Sequence, residues 1–194
     1  MKFGYIIIAA IIIIILLYFL FHHKKEEQKP LQPQVTPTQT AKPAQPTIGH
    51  RTKTSGCKVN GPFPDSACTP GAVIPGVTKE QVCTPGYAKS VRNVTEDVKD
   101  EVYREYRITH HSPGEYEVDH HISLELGGSN DISNLWPEAA NPRPGYHEKD
   151  KVENYLHKEV CAGRISLEEA QKQIATNWLE VYKRLPKATR RKRR

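Results

Sequence analysis

A chain of 194 residues with a formal net charge of +6 has room for one domain of modest core plus appendages, which excludes a large multidomain assembly. Six basic residues (Lys187, Arg190, Arg191, Lys192, Arg193, Arg194) and no acidic one fall in the last eight positions, so the other 186 residues are formally neutral. The folded part is therefore not a basic slab, and attraction for nucleic-acid phosphates or anionic lipid is concentrated in a tail over residues 187–194.

Phe3 to Phe21 is a run of nineteen uncharged residues dominated by Ile and Leu. At about 1.5 Å per residue such a helix crosses a hydrocarbon core of roughly 30 Å. The run is long for the apolar part of a signal peptide, and no small-x-small cleavage site follows it. A retained signal-anchor over residues 1–22 is expected, with a cleaved signal peptide as the alternative. Lys2 precedes the run and Lys24 and Lys25 follow it, so flanking charge does not settle orientation. Residues 23–55 are rich in Pro, Gln, Thr and Lys and nearly free of large apolar groups. They cannot bury enough surface to offset their ordering entropy and read as a partly extended linker.

The four cysteines (Cys57, Cys68, Cys83, Cys161) all lie beyond the apolar run, and none forms a CxxC pair. An even count without zinc-like spacing reads as two disulfides in an oxidising compartment, the alternative being four buried thiols. Three pairings are open. The expected one joins Cys57 to Cys68 as a local clasp and Cys83 to Cys161 as a long-range staple. The domain over residues 56–186 is placed outside the cytoplasm, periplasmic or extracellular, on this argument.

Within that domain, residues 57–86 are punctuated by Gly and Pro, which is loop and turn chemistry with a short helical turn over Thr78–Val82. Thr95 caps a helix over Glu96–Arg107, whose Val94, Val98, Val102 and Tyr106 form one apolar stripe. Glu115–Leu126 and Asp131–Trp136 are short apolar runs joined by Gly127-Gly128-Ser129-Asn130, an irregular hairpin. A turn at Asn141–Gly145 precedes a helix from Tyr146 to about Cys161, with Val152, Leu156 and Val160 inward and Gly163 as its stop. Ser166 and Glu169 form a capping box for the last helix, which Pro186 ends.

The stretch from Tyr116 to Lys151 gathers few polar groups of different chemistry: Asp119-His120 closing a strand-like run, Asn134-Leu135 after a Gly-rich loop, and His147 opening a helix. His120 to Asn134 to His147 are spaced by fourteen and thirteen residues. In this order and spacing the pattern resembles the HNH endonucleases, the ββα-metal nucleases. The likeness covers about 36 residues directly, while flanks such as CTPGYAKSVRNVT resemble those of small secreted bacterial members. It implies an α+β fold, a small ββα-metal core with additional flanking helices and disulfide-stapled loops.

The resemblance also implies roles. His120 is the general base, and Asn134 fixes the loop and orients it. Asp119 and His147 hold a divalent cation, Mg²⁺ first, with Mn²⁺, Ca²⁺ or Zn²⁺ compatible. Phosphodiester hydrolysis needs an activated water and charge neutralisation, and an imidazole with a hard cation supplies both. The implied partner is nucleic acid, DNA before RNA, with the membrane contacted through the N-terminal helix. Arg92, Lys149 and Lys151 are candidate phosphate contacts, although charged helix faces are usually only solvated. His121, His110, His111 and His157 are read as packing or surface residues, Asp150 as a lesser metal candidate, and Trp136 and Trp178 as core. Two departures stand out: no CxxC zinc pair flanks the motif, and Ser123 stands where the family usually has Pro. On a regular strand Asp119 and His120 point to opposite faces, so sharing a site requires the strand to end or distort there.

Overall fold

A computed structural model describes residues 14–18 and 48–191. The chain divides into two compact units, residues 1–41 and 42–194. In the first, Ile14–Tyr18 is helical with exposed side chains. The rest of the expected span, and linker residues 23–47, lie outside the described residues. Among the described residues no helix is long and apolar enough to cross a membrane.

The second unit is α+β: a two-stranded antiparallel hairpin followed by helices, with short helices ahead of it. Its elements are α1 (Lys79–Val82), α2 (Tyr87–Val91), α3 (Glu96–Glu105), β1 (Tyr116–His120), β2 (Leu135–Ala139), α4 (Tyr146–Cys161), α5 (Leu167–Arg184) and α6 (Lys187–Arg191). Capping explains most of the starts. Thr78, Thr95 and Ser166 each accept a hydrogen bond from the backbone N–H three residues on, at Gln81, Val98 and Glu169. At α4 Gly145 has no side chain to offer, and Glu148 reaches back to accept from its N–H at 3.1 Å. A Cβ at Gly145 would collide with the carbonyl oxygens of Ala139 and Ala140, so glycine is what lets α4 turn directly off the end of β2.

β1 and β2 pair with Tyr116 opposite Ala139 and His120 opposite Leu135. The loop between them is compacted by two single 3₁₀ turns, Leu124–Leu126 and Ile132–Asn134, so the strands are shorter than the apolar runs that seed them. The main core lies where α4 packs on α5: Val152, Leu156, Val160, Leu167, Ala170, Ile174 and Trp178 meet Ile122, Leu126 and Val82. A smaller cluster packs α3 against β2 through Val102, Tyr106, Leu135 and Trp136, beside Cys57 and Cys68. Disulfides join Cys57 to Cys68 and Cys83 to Cys161.

Four features depart from the sequence reading. Residues 51–53, placed in the linker, are fastened to the domain: Thr52 and Lys53 N–H donate to Ala67, and Arg51 pairs with buried Glu105. Tyr87–Val91, to which the sequence reading assigns no element, is helical. α5 kinks at Asn177, whose φ of -161° and ψ of 45° are non-helical. The first residues of the basic tail form α6, and Lys151 Nζ donates to Arg190 O at 2.9 Å; residues 192–194 lie outside the described residues.

Trp178 is fully buried just past the kink, and its Nε1 donates to Pro62 O at 3.1 Å, linking α5 to the N-terminal loops. Trp178→Ala is expected to lower stability by about 3–5 kcal/mol, read as a reduced urea midpoint by circular dichroism.

Candidate functional site

β1 ends at His120. The His120 N–H donates to its neighbour's Asp119 Oδ1 at 2.8 Å, and the next amide, His121 N–H, donates to Asn134 O at 2.7 Å. Asp119 and His120 are the last two residues of β1, still in regular register opposite Trp136 and Leu135, and the His121 bond carries that register one residue further.

Lys149, on the first turns of α4, is fully buried, and its ammonium fills three hydrogen bonds: to Asp119 Oδ2 at 2.7 Å, His120 O at 2.8 Å and Glu153 Oε1 at 2.6 Å. Glu138 Oε2 on β2 lies 3.7 Å away. Glu153 in turn accepts from Ser123 Oγ at 3.1 Å. One ammonium therefore joins both strands, the loop after β1 and α4. This corrects the reading of Lys149 as a phosphate contact, because a group with no exposed surface cannot reach one.

The electrostatics follow from burial. Burial alone would strip the proton from Lys149, but Asp119, Glu153 and Glu138 outweigh it and hold the ammonium charged. Burial opposes ionisation of Asp119, yet Lys149 prevails and keeps its carboxyl below the ordinary value. Glu138 is 1% exposed and burial pushes its pKa well above the carboxylate range, Lys149 notwithstanding. The neighbouring Asp119 raises it further. Burial raises Glu153 to about 7.

His120 is held at its other end by Asn130. The Asn130 Nδ2 donates to Val91 O at 2.8 Å, and its Oδ1 accepts from Asn93 N–H at 3.2 Å. That orientation leaves Oδ1 facing His120 Nε2 at 3.2 Å, so Nε2 carries the ring proton and Nδ1 is the basic nitrogen. Among the described residues nothing hydrogen-bonds to Nδ1. Burial drives the His120 pKa down to about 4 against the pull of Asp119, with Arg92 and Lys149 lowering it further. The imidazole is neutral at pH 7, as a general base must be. His121 is buried beside it, also lowered by burial to about 4, and its Nδ1 has no hydrogen-bond partner.

Asn134 is fully buried and spends its amide on the backbone. Oδ1 accepts from Ile122 N–H at 2.9 Å and Ala72 N–H at 3.2 Å, while Nδ2 donates to Ile122 O at 3.0 Å and Ser129 O at 2.8 Å. It braces the loop, and the contact to the His120 ring comes from Asn130 instead. Gly128 is required inside that loop because a Cβ there would overlap Ile122 O. His147 is exposed on the first turn of α4, its ring 4.2 Å from that of Tyr146. Arg92 is exposed, and it lies between the two residues that Asn130 grips. Lys151 is committed to Arg190 O and lies 3.8 Å from Glu148.

As a metal site the arrangement offers the Asp119 carboxylate, which already accepts from the His120 N–H and Lys149 and abuts Glu138, and the exposed imidazole of His147. Such a carboxylate and imidazole suit a cation that retains most of its water. Among the described residues the one group of three His, Cys, Asp or Glu donors within 4.8 Å of one another is elsewhere, at Cys83, His157 and Cys161.

Asn130, Glu138 and Glu153 escape the sequence reading. Asn130 sits in a Gly-Gly-Ser-Asn turn whose composition already accounts for it, and Glu153 stands four residues after Lys149 like any solvated helix pair. The only trace of Glu138 is a charge inside a strand-like run. Comparison of the chain with protein-family models, with curated proteins and with solved structures finds no match.

Lys149→Met would leave Asp119, Glu153 and Glu138 without their cation, at an expected cost of about 3–5 kcal/mol. The orphaned carboxyls have folded pKa values above their unfolded ones, so the deficit should shrink as pH falls from 7 towards 5, measured by urea unfolding across that range.

Proposed function

We propose that the domain is a metal-dependent nuclease of HNH type that hydrolyses nucleic-acid phosphodiester bonds with low sequence specificity. The observation that carries this is the state of His120: a neutral imidazole at a strand end, its Nε2–H tied to Asn130 and its Nδ1 left available to take a proton from water. Asp119 and His147 would hold the divalent cation, which when bound acts as a Lewis acid on the phosphate and supports the leaving oxygen. Arg92, exposed and carried on a segment that Asn130 pins beside His120, is suited to take the negative charge of the phosphoryl oxygens. Among the described residues no groove-reading element accompanies these groups, in keeping with backbone rather than base recognition. The two disulfides support a place outside the cytoplasm, with residues 1–22 as anchor and the linker from residue 23 to the fastened residues 51–53 as tether.

One observation favours a second reading, a nucleic-acid-binding module with this fold and no catalysis. The Lys149 ammonium already neutralises the Asp119 carboxylate, and His147 stands exposed against Tyr146. Under that reading DNA binding survives His120→Ala and depends on residues 187–194.

Plasmid cleavage by the oxidised full chain in detergent, with Mg²⁺ or with EDTA, separates the two. The nuclease reading expects metal-dependent nicking that is lost in His120→Ala; a folded protein that cleaves neither DNA nor RNA with any divalent metal overturns it. Asn130→Ala frees the ring and is expected to cut activity roughly tenfold to a hundredfold. Because catalysis needs the neutral ring, kcat/KM should be lost as pH falls through about 4, well below the usual histidine range, in rates measured from pH 3.5 to 8.

A further inference from the structure

Lys149, Glu153, His157 and Cys161 follow one another at intervals of four along α4, a single polar ridge beside the apolar ridge of Val152, Leu156 and Val160. The first two belong to the buried ion cluster. The last two meet Cys83, the residue that ends α1.

This second cluster has the dimensions of a metal site. Cys161 Sγ lies 3.4 Å from His157 Nε2, and the donor atoms of all three residues fall within 4.8 Å of one another. Two ligands on one tetrahedral zinc, with Zn–S near 2.3 Å and Zn–N near 2.0 Å, stand roughly 3.6 Å apart. The spacing of imidazole and sulfur is thus already that of a shared ion, while the sulfurs would have to part to roughly 3.8 Å. The Cα atoms of Cys83 and Cys161 are 5.6 Å apart at the junction of α1 with α4, so parting requires only side-chain rotation and a small shift of a four-residue helix. All three residues are half-buried, reachable by both reductant and ion.

We propose that reduction of the Cys83–Cys161 disulfide turns this staple into a zinc site with two thiolates, the His157 imidazole and one open position. A dithiol reductant supplies two electrons and two protons and is itself oxidised to a disulfide. The resulting pair of thiols then releases both protons as Zn²⁺ binds. His157 Nε2, now 3.0 Å from Val82 O, exchanges that hydrogen bond for the metal and carries its proton on Nδ1. Two soft thiolates and an imidazole select zinc over the hard cations that suit a carboxylate centre. The chain would thereby hold this corner closed in either state, by a covalent bond when oxidised and by a metal when reduced.

Co²⁺ is the spectroscopic probe, added to the full chain in detergent after reduction with a phosphine and removal of metals. The expected result is one equivalent of tetrahedral cobalt with a thiolate charge-transfer band, displaced by Zn²⁺, and a thermal midpoint that falls on reduction and recovers with Zn²⁺. The oxidised chain should show no band. His157→Ala retains the staple, so its oxidised form reports folding independently, and on reduction it should bind roughly tenfold or more weakly. A reduced wild-type chain without the band overturns the proposal. So does a band that persists in Cys83→Ser/Cys161→Ser, which would place the metal on Cys57 and Cys68, or one that His157→Ala leaves unchanged. None of these readouts depends on nuclease activity.

Discussion

Burying an ammonium without compensation costs several kcal/mol, and burying carboxylates together costs comparably. Lys149 sits where these two costs cancel. It meets Asp119, Glu153 and the carbonyl of His120 within hydrogen-bond distance, while burial raises the Glu138 carboxyl well above its ordinary value. The hairpin has only two strands and a two-stranded hairpin is marginal alone. It is fixed by apolar packing of β2 on α3 and by the polar contacts that Lys149 and Glu153 of α4 make with β1 and the loop after it. The strand terminus carrying Asp119 and His120 inherits its position from this arrangement. The candidate site is accordingly no more rigid than the ion cluster behind it.

Two asparagines divide the rest of the work. Asn134 satisfies both hydrogen-bonding groups of Ile122 and binds Ser129 and Ala72, so the loop after β1 closes on a side chain instead of on strand pairing. Asn130 then uses the loop so fixed to reach three places at once, Val91, Asn93 and the His120 ring. Its amide has a defined direction because its donor and acceptor ends are both claimed by backbone. That direction dictates the imidazole tautomer, a chemical property of the site set by a turn residue.

How much of this can be read from sequence depends on whether the cause is local. Thr78, Thr95 and Ser166 announce helix starts because a cap acts within three residues, and α4 runs from Tyr146 to Cys161 as its apolar stripe and trailing Gly163 require. The disulfide pairing follows expectation as well. By contrast, nothing within a few residues of Lys149 says that it points inward; its apparent face is a helix surface until β1 and β2 cover it. Asn130 is invisible for the same reason, its partners lying 37 and 39 residues away along the chain. The kink at Asn177 has no proline or glycine to mark it. Asp119 and His120 are the intermediate case. Their types are legible, but the groups each one meets, Lys149 for Asp119 and Asn130 for the His120 ring, are set by the fold and not by neighbours in the chain.

The ridge on α4 ties these threads together. Residues four apart on a helix stack with a slow angular drift, so a ridge that begins against the hairpin at Lys149 ends against α1 at Cys161. Between the two ends, Val152, Leu156 and Val160 are buried in the α4–α5 interface at 0–1% exposure and anchor the helix independently of either polar cluster. Strain arising at the Cys83 end would thus be absorbed by α1, a four-residue helix, before it moved Lys149. One helix thus carries the buried ion cluster at one end and the disulfide staple with the His157 imidazole at the other.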